Sequence, residues 1–167
     1  MTSSAIPPGF HPIRHDRLLQ ERIHDAYQAR AKPPEPTICP QCHAVFHNGR
    51  WDWRKLPEQA HSALCPACRR IAENDAAGNV VLSGGFVQAH REELLNLVRH
   101  TEEKERQEHA LERLIGISEE DGRILIGTTG SHLANRIGHA LEAAYDGTVH
   151  YTYTENETHL DVSWTRE

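Results

Sequence analysis

Two short cysteine pairs constrain this chain more than any other feature. Cys39-Pro-Gln-Cys42 and Cys65-Pro-Ala-Cys68 are C-x2-C turns with 22 residues between them. Each turn presents two thiolates on one side, and two turns complete the tetrahedron that zinc prefers, with Zn–S bonds of about 2.3 Å. The separation slightly exceeds the roughly 15–20 residues usual between paired knuckles. A site with four protein sulfurs is closed. Cys39, Cys42, Cys65 and Cys68 are therefore expected to hold one structural zinc ion and not a catalytic one. Phe46, Trp51 and Trp53 are expected to wrap it, because so small a module lacks another core.

These are the only four cysteines in 167 residues, too few to scaffold a secreted domain through disulfides. The opening MTSSAIPPGF has neither a cationic start nor an apolar core. No secretory signal is expected, and the thiols should stay reduced in a cytoplasmic protein. The longest charge-free stretch, Ala76 to His90, carries Asn79, Ser83, Gly84 and Gly85, too polar and too short to span a membrane.

Other chemistries share these residues. Iron could replace zinc in a rubredoxin-like electron carrier, since ligand softness alone does not separate the two metals. Cys39 to His43 also spells C-x-x-C-H, but haem attachment needs an oxidising compartment and orphans Cys65 and Cys68. A thioredoxin-like redox pair lacks its βαβ context. His90-Arg-Glu92 matches the H-x-E of zinc deaminases, yet it follows the cysteine pairs instead of preceding them, and neither pair has the preceding proline.

The thirteen histidines invite a catalytic reading that their spacing does not support. His43, His47 and His61 lie beside the knuckles but read as polar surface, given a complete cysteine set. His90 sits in an apolar stripe and reads as a core histidine. His100, His109, His132, His139, His150 and His159 show no carboxylate or nucleophile at a consistent spacing. No serine or cysteine nucleophile has a motif context, and no glycine-rich phosphate loop occurs. The expectation is a protein that is not an enzyme.

Charge divides unevenly. Residues 1–70 hold ten basic and six acidic residues, whereas 71–167 hold eight and eighteen, an asymmetry that points to an anion-facing N-terminal part. Within it, Arg50, Trp51, Trp53, Arg54 and Lys55, with Arg69 and Arg70 past the second knuckle, interleave cations and aromatics. Such a surface can neutralise phosphates while an indole stacks a base. The competing reading packs both tryptophans on the knuckles and leaves the arginines to solvate the rim.

The pattern predicts an α+β protein in four parts. Residues 1–36, with six prolines, read as a flexible basic arm, with a helix from Asp16 to Arg30. Residues 37–75 read as the zinc ribbon. Residues 76–110 read as a strand and a long connecting helix, N-capped by Ser83, with Phe86, His90, Leu94, Leu97 and Val98 on its apolar stripe. Its end, TEEKERQEH, is charged all round and reads as a solvated extension. Residues 111–167 read as a ββαββ unit with an antiparallel sheet. A hairpin turning at Asp121-Gly122 pairs Ile117 with Ile126 and puts Ile115, Ile117, Ile124 and Ile126 on one face. A helix from Ser131 to Tyr145 follows, with Leu133, Ile137 and Leu141 at i,i+4. A second hairpin at Asn156-Glu157 pairs Tyr153 with Leu160, Tyr151 with Val162 and Val149 with Trp164.

The run HDAYQARAKPPEPTICPQC, then LCPACRRI, LSGGFVQAHREELLNLVRH and the closing ββαββ pattern resemble a family of small bacterial zinc-ribbon proteins associated with a low-oxygen-activated gene cluster. The likeness covers roughly residues 24–164. More distantly, the paired C-P-x-C knuckles and the β-α-β pattern look like the archaeal and eukaryotic adaptor for export of the large ribosomal subunit. That resemblance implies ribosome or RNA binding, and it carries over to Cys39, Cys42, Cys65 and Cys68 alone. The leading expectation is a non-enzymatic, zinc-binding RNA- or ribosome-associated stress factor, with a protein partner open to the acidic C-terminal half. The alternatives are a protein–protein adaptor with a purely structural ribbon and, third, the electron carrier.

Overall fold

The computed structural model describes residues 32–167 apart from Leu56, Glu155 and Glu157. The expected arm therefore lies mostly outside the described residues, its Asp16–Arg30 helix included. The described chain mixes helix and strand, in agreement with the α+β expectation. Two sheets form. The first joins β1 (Thr37–Ile38), β2 (Val45–His47), β3 (Arg50–Asp52) and β4 (His61–Ser62) in the order β3-β2-β1-β4, with β1 and β4 parallel. Helix α1 (Pro66–Glu73) follows. Residues just before β1 belong to this module. Gly49 N–H donates to Glu35 Oε1 at 2.8 Å, and His61 N–H donates to the Pro36 carbonyl at 3.0 Å.

The second sheet contains β5 (Gly78–Ser83), β6 (Leu114–Glu120), β7 (Arg123–Thr128), β8 (Thr148–Tyr153) and β9 (Leu160–Thr165), ordered β6-β7-β5-β9-β8. Between strands lie α2 (Gly85–Ala89), α3 (Arg91–Glu108) and α4 (Ser131–Tyr145). Both expected hairpins form in the expected registers, Ile117 opposite Ile126 and Val149 opposite Trp164. They do not pair with each other. β5 inserts between them, antiparallel to β7 and parallel to β9. The sheet is thus mixed and not antiparallel, and the segment before residue 111 supplies its middle strand.

Alternation decides which face is buried. Val80, Leu82, Ile124, Ile126, Leu160, Val162 and Trp164 point inward to meet Leu94, Leu95 and Val98 of α3 and Leu133, Ile137 and Leu141 of α4. The opposite face presents His150, Thr152, Asp161 and Ser163, all exposed. Gly138 lets α4 approach the sheet, since a Cβ there would lie 2.9 Å from the Tyr151 ring. Trp164 is fully buried, and its indole N–H donates to the Asp146 carbonyl at 2.7 Å.

Three local expectations change. A bulge at Ile115 shifts the register between Leu114 and Gly116, so Leu114 joins Ile117 on the core in place of Ile115. Tyr153 lies near the end of edge strand β8 and remains 47% exposed. Ser83 does not cap a helix: it ends β5 and its hydroxyl pairs with that of Thr165 at 2.9 Å, while the long helix breaks at His90. His90 stacks on Phe86 at a ring separation of 3.9 Å.

Candidate metal centre

Local chain geometry brings the four cysteines together. Cys39 opens the first knuckle: His43 N–H donates to the Cys39 carbonyl at 2.9 Å, and Cys39 N–H donates to the Ala44 carbonyl at 2.8 Å. His43 adopts the left-handed backbone, φ 67°, that turns the chain back into β2. Cys65 is the N-cap of α1, with Pro66 supplying the fixed φ of a first helical residue. Its sulfur accepts the Cys68 N–H at 3.3 Å, so the helix start itself bends Cys68 toward Cys65.

The four sulfurs lie within 4.8 Å of one another. Cys42 Sγ and Cys65 Sγ are 3.7 Å apart, far beyond a disulfide bond of about 2.05 Å. A tetrahedron of 2.3 Å metal–sulfur bonds has sulfur–sulfur edges of about 3.8 Å. The donor set therefore fits a single tetrahedral ion. Cys39, Cys65 and Cys68 are buried and Cys42 is half-buried.

Electrostatics explain why such a group needs a cation. Burial would push the Cys39 thiol up, but backbone N–H groups of Cys65, Cys42 and Gln41 outweigh it and bring it down to about 7. Burial pushes Cys65 well above the ordinary thiol range despite the Cys68 N–H, and the other thiolates add to this. Cys68 is also held up by burial. Four thiolates so close would repel one another, and a bound metal cation would permit all of them to ionise.

One protein cation already faces the cluster. Arg113 Nη2 donates to Cys68 Sγ at 3.1 Å. Burial opposes the charge of Arg113, yet the Cys42 and Cys68 sulfurs more than offset it and hold its pKa above the usual value. The backbone of Arg113 is fixed by Thr129: its N–H donates to the Thr129 hydroxyl at 2.9 Å, and its carbonyl accepts the Thr129 N–H at 2.8 Å. Leu111 packs on the cysteines beside it. Neither residue is marked in the sequence, because the contact spans 45 positions and follows no motif.

The expected aromatic wrap separates by residue. Trp51 packs on the cysteines and on Phe46, at a ring separation of 5.5 Å. Trp53 is 39% exposed, and its N–H donates at 2.6 Å to the Arg106 carbonyl, one of the last-turn acceptors that α3 cannot satisfy internally. A cleft of about 520 Å³ opens there, lined by Cys42, Trp53, Glu103, Arg106, Gln107 and Arg113.

The seven residues expected to contact nucleic acid do not form one surface. Arg50 and Lys55 are exposed and Arg69 is half-buried. Arg54 is engaged by Asp52 at 2.7 Å. Trp51 is committed to the cysteines. Arg70 turns inward, 9% exposed, against the carbonyl and carboxylate of Asp75, each at 3.3 Å. Cations adjacent in sequence part company here because Arg70 closes the end of α1. The histidines beside the knuckles, His43, His47 and His61, are not among the clustered ligands.

Comparison with protein-family models, with curated proteins and with solved structures found no match. The chain carries a four-cysteine site suited to a metal ion, on a mixed α/β scaffold. Among the described residues, no helix is long and apolar enough to cross a membrane.

Proposed function

We propose that this protein is a non-enzymatic, zinc-stabilised factor that binds structured RNA, on the ribosome or free of it. The cleft beside the cysteine cluster carries the reading. Trp53 offers an exposed indole, Arg106 and Arg113 line the same cleft, and Arg50 and Lys55 are exposed in the segment that leads to it. An aromatic face with cations around it is the chemistry that stacks a base and neutralises the neighbouring phosphates. The zinc ion, preferred here over iron, has a structural role: it folds the segment that presents Trp53. Low oxygen as the occasion for use rests on the family resemblance, and a cytoplasmic location belongs to the same proposal.

Ribosome co-sedimentation of the full chain tests it, with and without ribonuclease. With these four cations engaged, the logarithm of affinity should fall against that of salt with a slope of about −3. Arg106→Glu should weaken binding and reduce that slope by about 1, and Trp53→Ala should weaken binding at every salt. Binding untouched by Trp53→Ala together with Arg106→Glu would refute the cleft. A second reading, a protein–protein adaptor, is favoured by the acidic half and by the exposed polar sheet face. Co-sedimentation that survives ribonuclease would favour it.

A further inference from the structure

A second group of metal-ligating side chains lies away from the cysteines. One donor atom each from Glu105, His109 and His132 falls within 4.8 Å of the others. Glu105 stands on the last turn of α3, and His109 is the residue that ends that helix, its N–H donating to the Glu105 carbonyl at 2.8 Å. Spacing of i,i+4 sets the two side chains on the same side of the helix end. His132 comes from the first turn of α4. Its Nε2 lies 2.9 Å from Glu105 Oε2, and its ring meets that of His109 edge-on, with centroids 5.4 Å apart.

The carboxylate in this group is held by protein. Glu105 is 14% exposed at its side chain, and its other oxygen accepts from Arg136 Nε at 3.0 Å, one turn further along α4. Behind it Glu112 accepts the Leu133 N–H at 2.9 Å. Its carboxylate fills the space that Gly130 leaves open, where a Cβ would lie 2.3 Å from Glu112 Oε1. An ion pair alone would need only Glu105, His132 and Arg136. The approach of His109 is what turns the pair into a set of three convergent donors.

We propose that Glu105, His109 and His132 bind a divalent first-row transition-metal ion, zinc or nickel, with one coordination position left to solvent. Two imidazoles and a carboxylate form the donor set of open zinc sites, and imidazole favours zinc, nickel and copper over magnesium or calcium. Arg136 acts as the outer partner that orients the ligating carboxylate. His109 and His132 are exposed, so the ion exchanges with solution, unlike one enclosed by the cysteines. Bound metal ties the end of α3 to the start of α4, the two helices that cover the sheet.

Titration calorimetry of the full chain with zinc chloride, and separately with nickel chloride, tests the site. The comparison counts metal equivalents lost relative to wild type, so it does not depend on what the cysteines hold. Wild type should take up one exchangeable equivalent beyond the tightly held one. His109→Ala and His132→Ala should each weaken that equivalent at least about tenfold, an effect that even outer partners of metal ligands command. Both side chains are exposed, and an unchanged circular-dichroism melt in metal-free buffer shows the variants folded. His150→Ala, on the exposed face of the sheet, should bind as wild type does. An exchangeable equivalent that survives in the double histidine variant overturns the proposal, as does wild-type protein that takes up none.

Discussion

Replacing Arg113 by methionine removes a protein cation that hydrogen-bonds the cysteine cluster. Methionine keeps an unbranched apolar stem of similar length while removing the guanidinium that donates to Cys68 Sγ at 3.1 Å. A hydrogen bond to a charged group contributes about 1.5–3 kcal/mol. Arg113 is only half-buried, so solvent screening favours the lower end, about 1.5–2 kcal/mol. Each 1.4 kcal/mol is tenfold in an equilibrium constant. Zinc affinity should therefore fall by about ten- to thirtyfold. Competition against a chromogenic chelator measures this directly. Arg113→Lys retains charge without the planar fork and should fall between the two. The Thr129 contacts use the Arg113 backbone and persist in both variants, so the sheet should melt as before. Zinc affinity within about twofold of wild type in the methionine variant would refute the assigned role of this arginine.

Cys65→Ser should open the 37–75 segment and leave the β5–β9 sheet protected, because Cys65 both belongs to the four-cysteine site and caps α1; hydrogen exchange by segment checks this. Trp164→Ala should cost about 3–5 kcal/mol and lower Tm by roughly 10 °C or more, since the indole is fully buried and donates to Asp146; a Tm lowered by less than about 3 °C would contradict the packing described. Burial holds the Glu112 carboxyl above its ordinary range, so the folded state prefers it protonated. Its stabilising contribution is complete below the unfolded value and is lost as pH rises through the folded one. Glu112→Gln should consequently flatten the gain in stability on acidification from neutral pH, read as melting temperatures of both proteins in metal-free buffer.

Local pattern made much of this fold legible. Period-two alternation and the Asp121-Gly122 turn specify the hairpin that pairs Ile117 with Ile126, and the spacing of Leu133, Ile137 and Leu141 specifies α4 with its bounds. Parallel pairing was illegible. β5 and β9 meet without a shared turn, so nothing near Val80 in the chain announces Val162 as its neighbour. The same holds for the site. Knuckle spacing brings four cysteines into view, whereas Arg113 and the Glu105–His132 contact arise only when separate elements dock. The charged end of α3, expected to be solvated on all sides, instead spends Glu105 on α4 and Glu102 on the Leu114 N–H. Charge pattern alone does not distinguish a side chain that faces water from one that faces a helix end.

The insertion of β5 between β7 and β9 also sets the order of events during synthesis. β5 is the first strand of the large sheet to leave the ribosome, yet one whole flank of it is built from β9, as many as 82 positions later. Until residues 160–165 emerge, Val80 and Leu82 have only the β7 side to pair with, and the helices have half a platform to cover. Closing so long a loop is slow, and the waiting strand presents an unpaired edge to any neighbouring chain. A released chain truncated before Leu160 is thus expected to recruit chaperones, whereas one that extends past Thr165 can complete its sheet once it leaves the ribosome.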